Sequence, residues 1–137
     1  MDVIDAMSAG AAGGLLGLLS AMLIAPFVRP AAPSAGAPAD SYAIRTTQIV
    51  LTLLAAAMLG ALYWLSWGLA AVVNVPWWFR GITFALVCFA ALPLPALLTL
   101  LTRVAIDRRV LIGSLLHWLL VCLGAGLTSA WVAMRSP

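Results

Sequence analysis

Apolar residues run through this chain in four long blocks, set apart by short polar, proline-rich or arginine-bearing breaks. The blocks cover roughly Ala6 to Val28, Thr47 to Val72, Phe79 to Leu101 and Val110 to Ala133. Each reaches the ~20 residues that a helix needs to cross the hydrocarbon core of a bilayer. In lipid a helix is also the open-chain form that satisfies its own backbone polar groups. The pattern therefore predicts an all-α polytopic membrane protein, a four-transmembrane-helix bundle forming a single integral membrane domain over residues 1–137.

The breaks differ in kind. "RPAAPSAGAPADSY" between the first and second blocks is rich in Pro, Ala, Ser and Gly. It has little apolar area to bury and predicts a mobile loop outside the bilayer, about residues 29–45. "NVPWWFR" between the second and third is short. It places Trp77 and Trp78 beside Arg80, a set suited to anchoring at the headgroup level.

Composition agrees with the block pattern. Hydrophobic residues make up 65% of the chain and charged residues 8%, with a mean hydropathy of +1.14. A soluble domain carries about 25% charged residues, so too little polar surface exists here for a hydrated exterior. All seven cations are arginine and all four anions aspartate, for a net charge of +3. Because the charges lie at the block ends and no basic patch is interleaved with aromatics, they speak for membrane threading, and no nucleic-acid partner is expected.

Arginine counting sets the direction. Arg29, Arg45, Arg103, Arg108 and Arg109 fall in the first and third connections, against Arg80 and Arg135 on the opposite side. The positive-inside bias then puts the loops of about 29–45 and 102–109 in the cytoplasm and both termini outside. Asp2 and Asp5, with no cation before the first block, agree. The same acidic start, and an apolar run longer than the 7–15 residues of a signal core, favour a retained helix over a cleaved signal peptide at "SAGAPA".

Small residues recur at helical spacing. Gly10, Gly14 and Gly17 with Ala21 share a face of the first helix, flanked by Gly13; Ala56 and Gly60 stand in the second, and Ala125, Ser129 and Ala133 in the fourth. Lipid supplies no hydrophobic force between helices, so close approach at small residues must provide the attraction. The seam of the first helix either closes one intramolecular bundle or docks a partner or second copy. A faint internal repeat accompanies it. Gly14 precedes Pro26 as Gly81 precedes Pro93, and "LGA" at 59–61 and 123–125 is followed in each case by a tryptophan, Trp67 and Trp131. This spacing suits two tandem helical hairpins related by an axis along the membrane normal.

The order of a Gly-rich first helix, "LGALYW", "WWFRGITFALVCFAALPLP" and "IGSLLHWLLVCLGAG" resembles small four-helix bacterial inner-membrane protein families. The likeness is best over residues 59–126. It implies architecture and location in a bacterial inner membrane; those families lend no activity.

The single histidine, His117, lies ~10 Å inside the cytoplasmic end of the fourth helix at 1.5 Å per residue. Ser114 is one turn earlier, and Ser20 and Thr52 count to a similar depth. Pro93 and Pro95 free the carbonyls of Phe89 and Ala91 nearer mid-membrane. A polar layer of His117, Ser114, Ser20, Thr52 and Pro93 is the candidate site. In one reading His117 is a packing group that donates one hydrogen bond to Ser20, Thr52 or a freed carbonyl. In the other it marks a proton- or ligand-responsive centre, as intramembrane ionisable groups often do. A third, lesser reading is haem ligation, for which one histidine per chain would need a second chain. Cys88 and Cys122 count to similar depths and read as small apolar residues rather than an accessible thiol pair.

No catalytic residue emerges, and no metal site. His117 lacks an acidic partner in its segment, the loops hold only Asp40 and Asp107, and no glycine-rich loop sits in a nucleotide-binding context. A proton-coupled exchanger would need a carboxylate within a helix, which is missing. The reading that follows is a non-catalytic accessory or structural subunit of a larger inner-membrane assembly, its partners membrane lipids and other membrane subunits or further copies of itself. The alternative is a homo-oligomeric transporter or pore for a small uncharged molecule.

Overall fold

A computed structural model describes residues 2–28, 41–70, 75–103 and 108–135. All secondary structure among them is helical: α1 (Val3–Val28), α2 (Ser41–Ala70), α3 (Trp77–Ala91), α4 (Pro93–Arg103) and α5 (Arg108–Arg135). Four stretches are long and apolar enough to cross a membrane, Val3–Ile24, Thr46–Ser66, Trp77–Thr99 and Val110–Arg135. The chain is a multi-pass, four-span helical membrane protein, with α3 and α4 sharing the third span.

Helices overrun the apolar blocks at several ends. α2 starts at Ser41, so residues 41–45 of the expected loop are helical; residues 29–40, 71–74 (where the second block was expected to end) and 104–107 lie outside the described residues. Apolarity marks only the hydrocarbon part of a span, whereas the backbone ladder continues wherever leaving it would strand donors and acceptors. The third span departs further from expectation. A continuous helix over 79–101 is replaced by two helices meeting at Leu92, whose φ of −109° and ψ of −71° end α3 while its N–H donates to the Cys88 carbonyl at 3.0 Å. Pro93 and Pro95 have no N–H to continue the ladder, and their rings crowd the preceding turn.

The spans do not pack in simple sequence order. α1 lies antiparallel against both α2 and α5, α2 also reaches α5, and α3 packs on the far side of α5. α2 and α3 are neighbours in sequence yet scarcely touch, and α4 touches α5 far less than α3 does. α1, α2 and α5 thus make a tight trio, with the third span hung on α5.

The interior is built from small side chains. Ala6, Ala9, Ala56, Ala85, Ala125, Ala130 and Ala133 are buried, and the largest fully buried side chains are Val121 and Ser129. Leu16, Leu19, Leu23, Leu51, Leu54, Met58 and Leu65 point outward. This inversion suits a solvent of acyl chains, where large apolar groups gain nothing by leaving the surface and small ones allow backbones to meet.

The glycines of α1 serve two neighbours. Gly10 and Gly14, with Ala6 a turn before, face α2: a Cβ on Gly10 would lie 2.5 Å from the Ala56 carbonyl oxygen and 2.8 Å from the Gly60 Cα. Gly13 and Gly17 face α5. A Cβ on Gly13 would strike the Gly124 carbonyl and the Thr128 hydroxyl, and one on Gly17 would lie 2.5 Å from the Leu120 carbonyl oxygen. A glycine costs a helix ~1 kcal/mol relative to alanine, but unfolding it in lipid would strand backbone groups at several kcal/mol each. The close approach outweighs the propensity.

One side-chain bond crosses this seam. Thr128 Oγ1 lies 2.7 Å from the Ala9 carbonyl oxygen on α1 and 2.8 Å from the Gly124 carbonyl oxygen of its own helix. Replacing Thr128 with valine keeps the shape and removes the donor. The expected loss is about 0.6 kcal/mol, and no more than about 1.7, as for other interhelical bonds in membranes. It is read as a shift in the SDS-unfolding midpoint; an unchanged midpoint would leave the proton with Gly124.

The two hairpins, α1–α2 and α3/α4–α5, are both antiparallel, but their registers differ. Gly14 faces Ala56, whereas Gly81, its counterpart in the repeat, faces Gly126, Leu127 and Ala130. Aligned on the repeat, that is a slide of roughly two helical turns. Residues matched by the repeat therefore do not make equivalent contacts.

Candidate functional site

The contacts of α5 fix the height of the candidate polar layer. Thr128 meets Ala9, Gly124 meets Gly13, and Leu120 meets Gly17. Carried one turn further, this register sets Ser20 level with His117. On the other side of α5, Gly81 against Leu127 and Ala85 against Gly126 carry on to put the Leu92–Pro93 break near the same level. Thr52 lies one turn from Ala56, which faces Gly14, and so falls within about a turn of Ser20.

Shared height does not make a network. Ser20 Oγ donates to the Leu16 carbonyl at 2.9 Å, and Thr52 Oγ1 donates to the Gln48 carbonyl at 2.7 Å. Each hydroxyl proton is held by its own helix, so neither donates to His117. Thr52 is buried, while Ser20, Ser114 and Pro93 are half-buried. His117 is half-buried too, its ring edge-on to Trp118 at 5.7 Å between centroids. Asp5, the carboxylate within the described spans, stands about four turns from Ser20 along α1, so the layer around His117 has the composition for packing and hydrogen bonding.

The seam residues Gly10, Gly14 and Gly17 are occupied by α2 and α5, and Ala21, one turn beyond, is half-buried. Sequence reasoning treated Gly13 as a flank, yet it makes one of the tightest approaches in the molecule; the four-residue spacing of Ala9, Gly13 and Gly17 was the signal. Ala125, Ser129 and Ala133 are all buried along α5. Ser129 Oγ has no hydrogen-bond partner among the described residues.

At the end of the bundle where α3 begins, Trp77 is half-buried against Tyr63, Ala130 and Ala133, while Trp78 points outward with its ring edge-on to Phe79 at 5.9 Å. Arg80 is half-buried. On the same end the Arg135 guanidinium sits 3.9 Å above the Trp131 ring. Of these three residues, Trp77 therefore closes the bundle end.

Cys88 and Cys122 are free, buried and members of one cluster with Ala56, Leu59, Ala85, Val121 and Ala125. Among the described residues no three His, Cys, Asp or Glu side chains gather as metal ligands.

No protein-family model, curated protein or solved structure matches this chain.

Proposed function

We propose that this protein is a non-catalytic integral subunit that braces a larger assembly in a bacterial inner membrane, with the connections from α1 to α2 and from α4 to α5 on the cytoplasmic side and both termini outside. The observation that carries the reading is the closure of the α1–α2–α5 trio at backbone contact. Where a Cβ on Gly10, Gly13 or Gly17 finds no room, α1 meets α2 and α5 without space for a lumen between them among the described residues. The surface, by contrast, is extensive and apolar, and the third span is the least enclosed, with 17% of its apolar stretch buried against 33% for α1. A brace needs a rigid interior and a generous lateral surface, and this chain has both.

Extraction with its surrounding lipid, followed by native mass measurement, tests the proposal. A fixed stoichiometry with a different membrane subunit is the expected result. A pure homo-oligomer that carries flux of a small uncharged solute in liposomes would replace it with the transporter reading.

His117 is assigned to packing. His117→Leu should retain fold and partners and cost about 0.6 kcal/mol, the average for a hydrogen bond between membrane helices. Loss of solute flux in a correctly assembled His117→Leu protein would overturn this role, as would a Soret band in the purified wild-type chain that the substitution abolishes.

A further inference from the structure

The two cysteines of the chain stand on facing stripes of α3 and α5. Gly81, Ala85 and Cys88 are the buried residues of α3, at the spacing that keeps one helix face inward. Gly81 lies against Leu127 and Ala130 of α5, and Ala85 against Gly126. Cys122 is one turn before Gly126 on that same face of α5. The helices are antiparallel, so a turn forward on α3 is a turn back on α5. The register that pairs Ala85 with Gly126 therefore brings Cys88 opposite Cys122. Both belong to one buried cluster, and their thiols act on each other electrostatically.

The backbones here are near enough for a covalent bond between the side chains. One turn from the cysteines, a Cβ on Gly126 would lie 3.1 Å from the Ala85 Cβ, and a disulfide asks for roughly 3.5–4.5 Å between Cβ atoms. Depth then limits the oxidant. Cys88 is eleven residues from either end of the Trp77–Thr99 span, and Cys122 is twelve and thirteen from the ends of Val110–Arg135. At 1.5 Å per residue each sits ~16–20 Å from the span ends, which is the midplane of a ~30 Å hydrocarbon core. Ionic reagents and ionised thiols are both costly there. A neutral oxidant dissolved in the lipid is not.

We propose that Cys88 and Cys122 are a dithiol that a lipid-soluble quinone oxidises to a disulfide, stapling the third span to α5. The two S–H bonds break and one S–S bond forms. The two hydrogens pass to the quinone oxygens, and the quinone leaves as the quinol. Dithiol, disulfide, quinone and quinol are all neutral, so the net exchange leaves no charge in hydrocarbon. Cys88, at 8% exposure against 2% for Cys122, is the thiol the quinone meets first. The neighbours Ala56, Leu59, Ala85, Val121 and Ala125 offer no competing nucleophile. The staple fixes the least enclosed span to the trio, and it is independent of what the protein braces.

The full chain in phospholipid nanodiscs, held without oxygen and given a short-chain ubiquinone, tests the proposal. After denaturation and alkylation, the untreated protein should carry two alkyl groups. The treated protein should carry none and yield a peptide joining Cys88 to Cys122, with one quinol formed per chain. Its helicity should be unchanged and its SDS-unfolding midpoint raised. Cys88→Ala and Cys122→Ala, both apolar replacements, should form no quinol and show no such rise. Moving the first thiol to the outward position of Val87, by Cys88→Ala with Val87→Cys, should also abolish the bridge. Two alkylated thiols in the treated wild type, a bridge between copies instead of within one, or a bridge that still forms from position 87 would each overturn the proposal. So would a loss of helicity on oxidation, or a bridged chain that unfolds with the reduced one.

Discussion

Replacing Gly13 with leucine is expected to cost at least about 3 kcal/mol and to separate α1 from α5. Two effects of opposite sign compete at this position. A side chain raises helix propensity, worth ~1 kcal/mol for alanine over glycine. Against it stands the collision of any Cβ with the Gly124 carbonyl and the Thr128 hydroxyl. The carbonyl is backbone and cannot rotate aside, so the helices must part. Overpacking a tight contact costs ~1–3 kcal/mol by itself. Parting also forfeits the approaches at Ala9 and Gly17 and the Thr128 bond. Gly13→Ala should be destabilising but milder, and Gly124→Ala, which meets the Gly13 carbonyl from the other side, should behave alike. Combined, the two should cost less than their sum, because the first already opens the seam. Leu19→Ala, on the lipid face, should stay within about 0.5 kcal/mol. The midpoint of SDS unfolding followed by circular dichroism measures all five; a Gly13→Leu protein that unfolds with the wild type would refute the α1–α5 contact.

What the sequence makes legible here follows from what the bilayer fixes. Hydrocarbon thickness sets the length of a span, so four crossings can be counted from apolar runs, and the fixed rise per residue makes depth legible too. Counted from helix ends, His117 and Ser20 fall at one depth, and the α1–α5 contacts at Gly13 and Gly17 extend in a register that agrees. Direction around a helix is harder. Gly10, Gly14 and Gly17 read as a single stripe, yet α1 sits between two neighbours, and Ala6–Gly10–Gly14 and Ala9–Gly13–Gly17 are adjacent stripes serving different ones. That division depends on how many helices surround α1, which its own residues do not state. The partners of the polar layer were illegible for another reason. A serine or threonine in a helix can close onto the carbonyl four residues back, and Ser20 and Thr52 both do so. Pro93 and Pro95 announced freed carbonyls but not a full break at Leu92, since a proline helix bends or ends according to the room its neighbours leave.

The second large effect is expected at Tyr63. α2 and α3 scarcely touch, and Tyr63 is one place where they do, its ring edge-on to Phe84 at 5.0 Å between centroids and 86° between planes. It is 3% exposed and lies among Ala130 and Ala133, with Trp77 and Phe84 against the cluster. Because lipid is as apolar as the interior, truncation forfeits no hydrophobic transfer comparable to that in water. What is lost is dispersion contact, and the space left behind has alanines along one wall that cannot fill it. Tyr63→Ala should therefore cost about 3 kcal/mol, the low end for aromatic-to-alanine changes in cores. A double-mutant cycle with Phe84→Ala should return a coupling of about 1 kcal/mol for the edge-to-face pair. Tyr63→Phe keeps the ring and should retain most of the stability. Trp78→Ala, outward on the same end, is the control for losing a large aromatic that faces lipid. A Tyr63→Ala protein no less stable than Trp78→Ala would mean that α3 is held by α5 alone, and that α2 could leave without disturbing it.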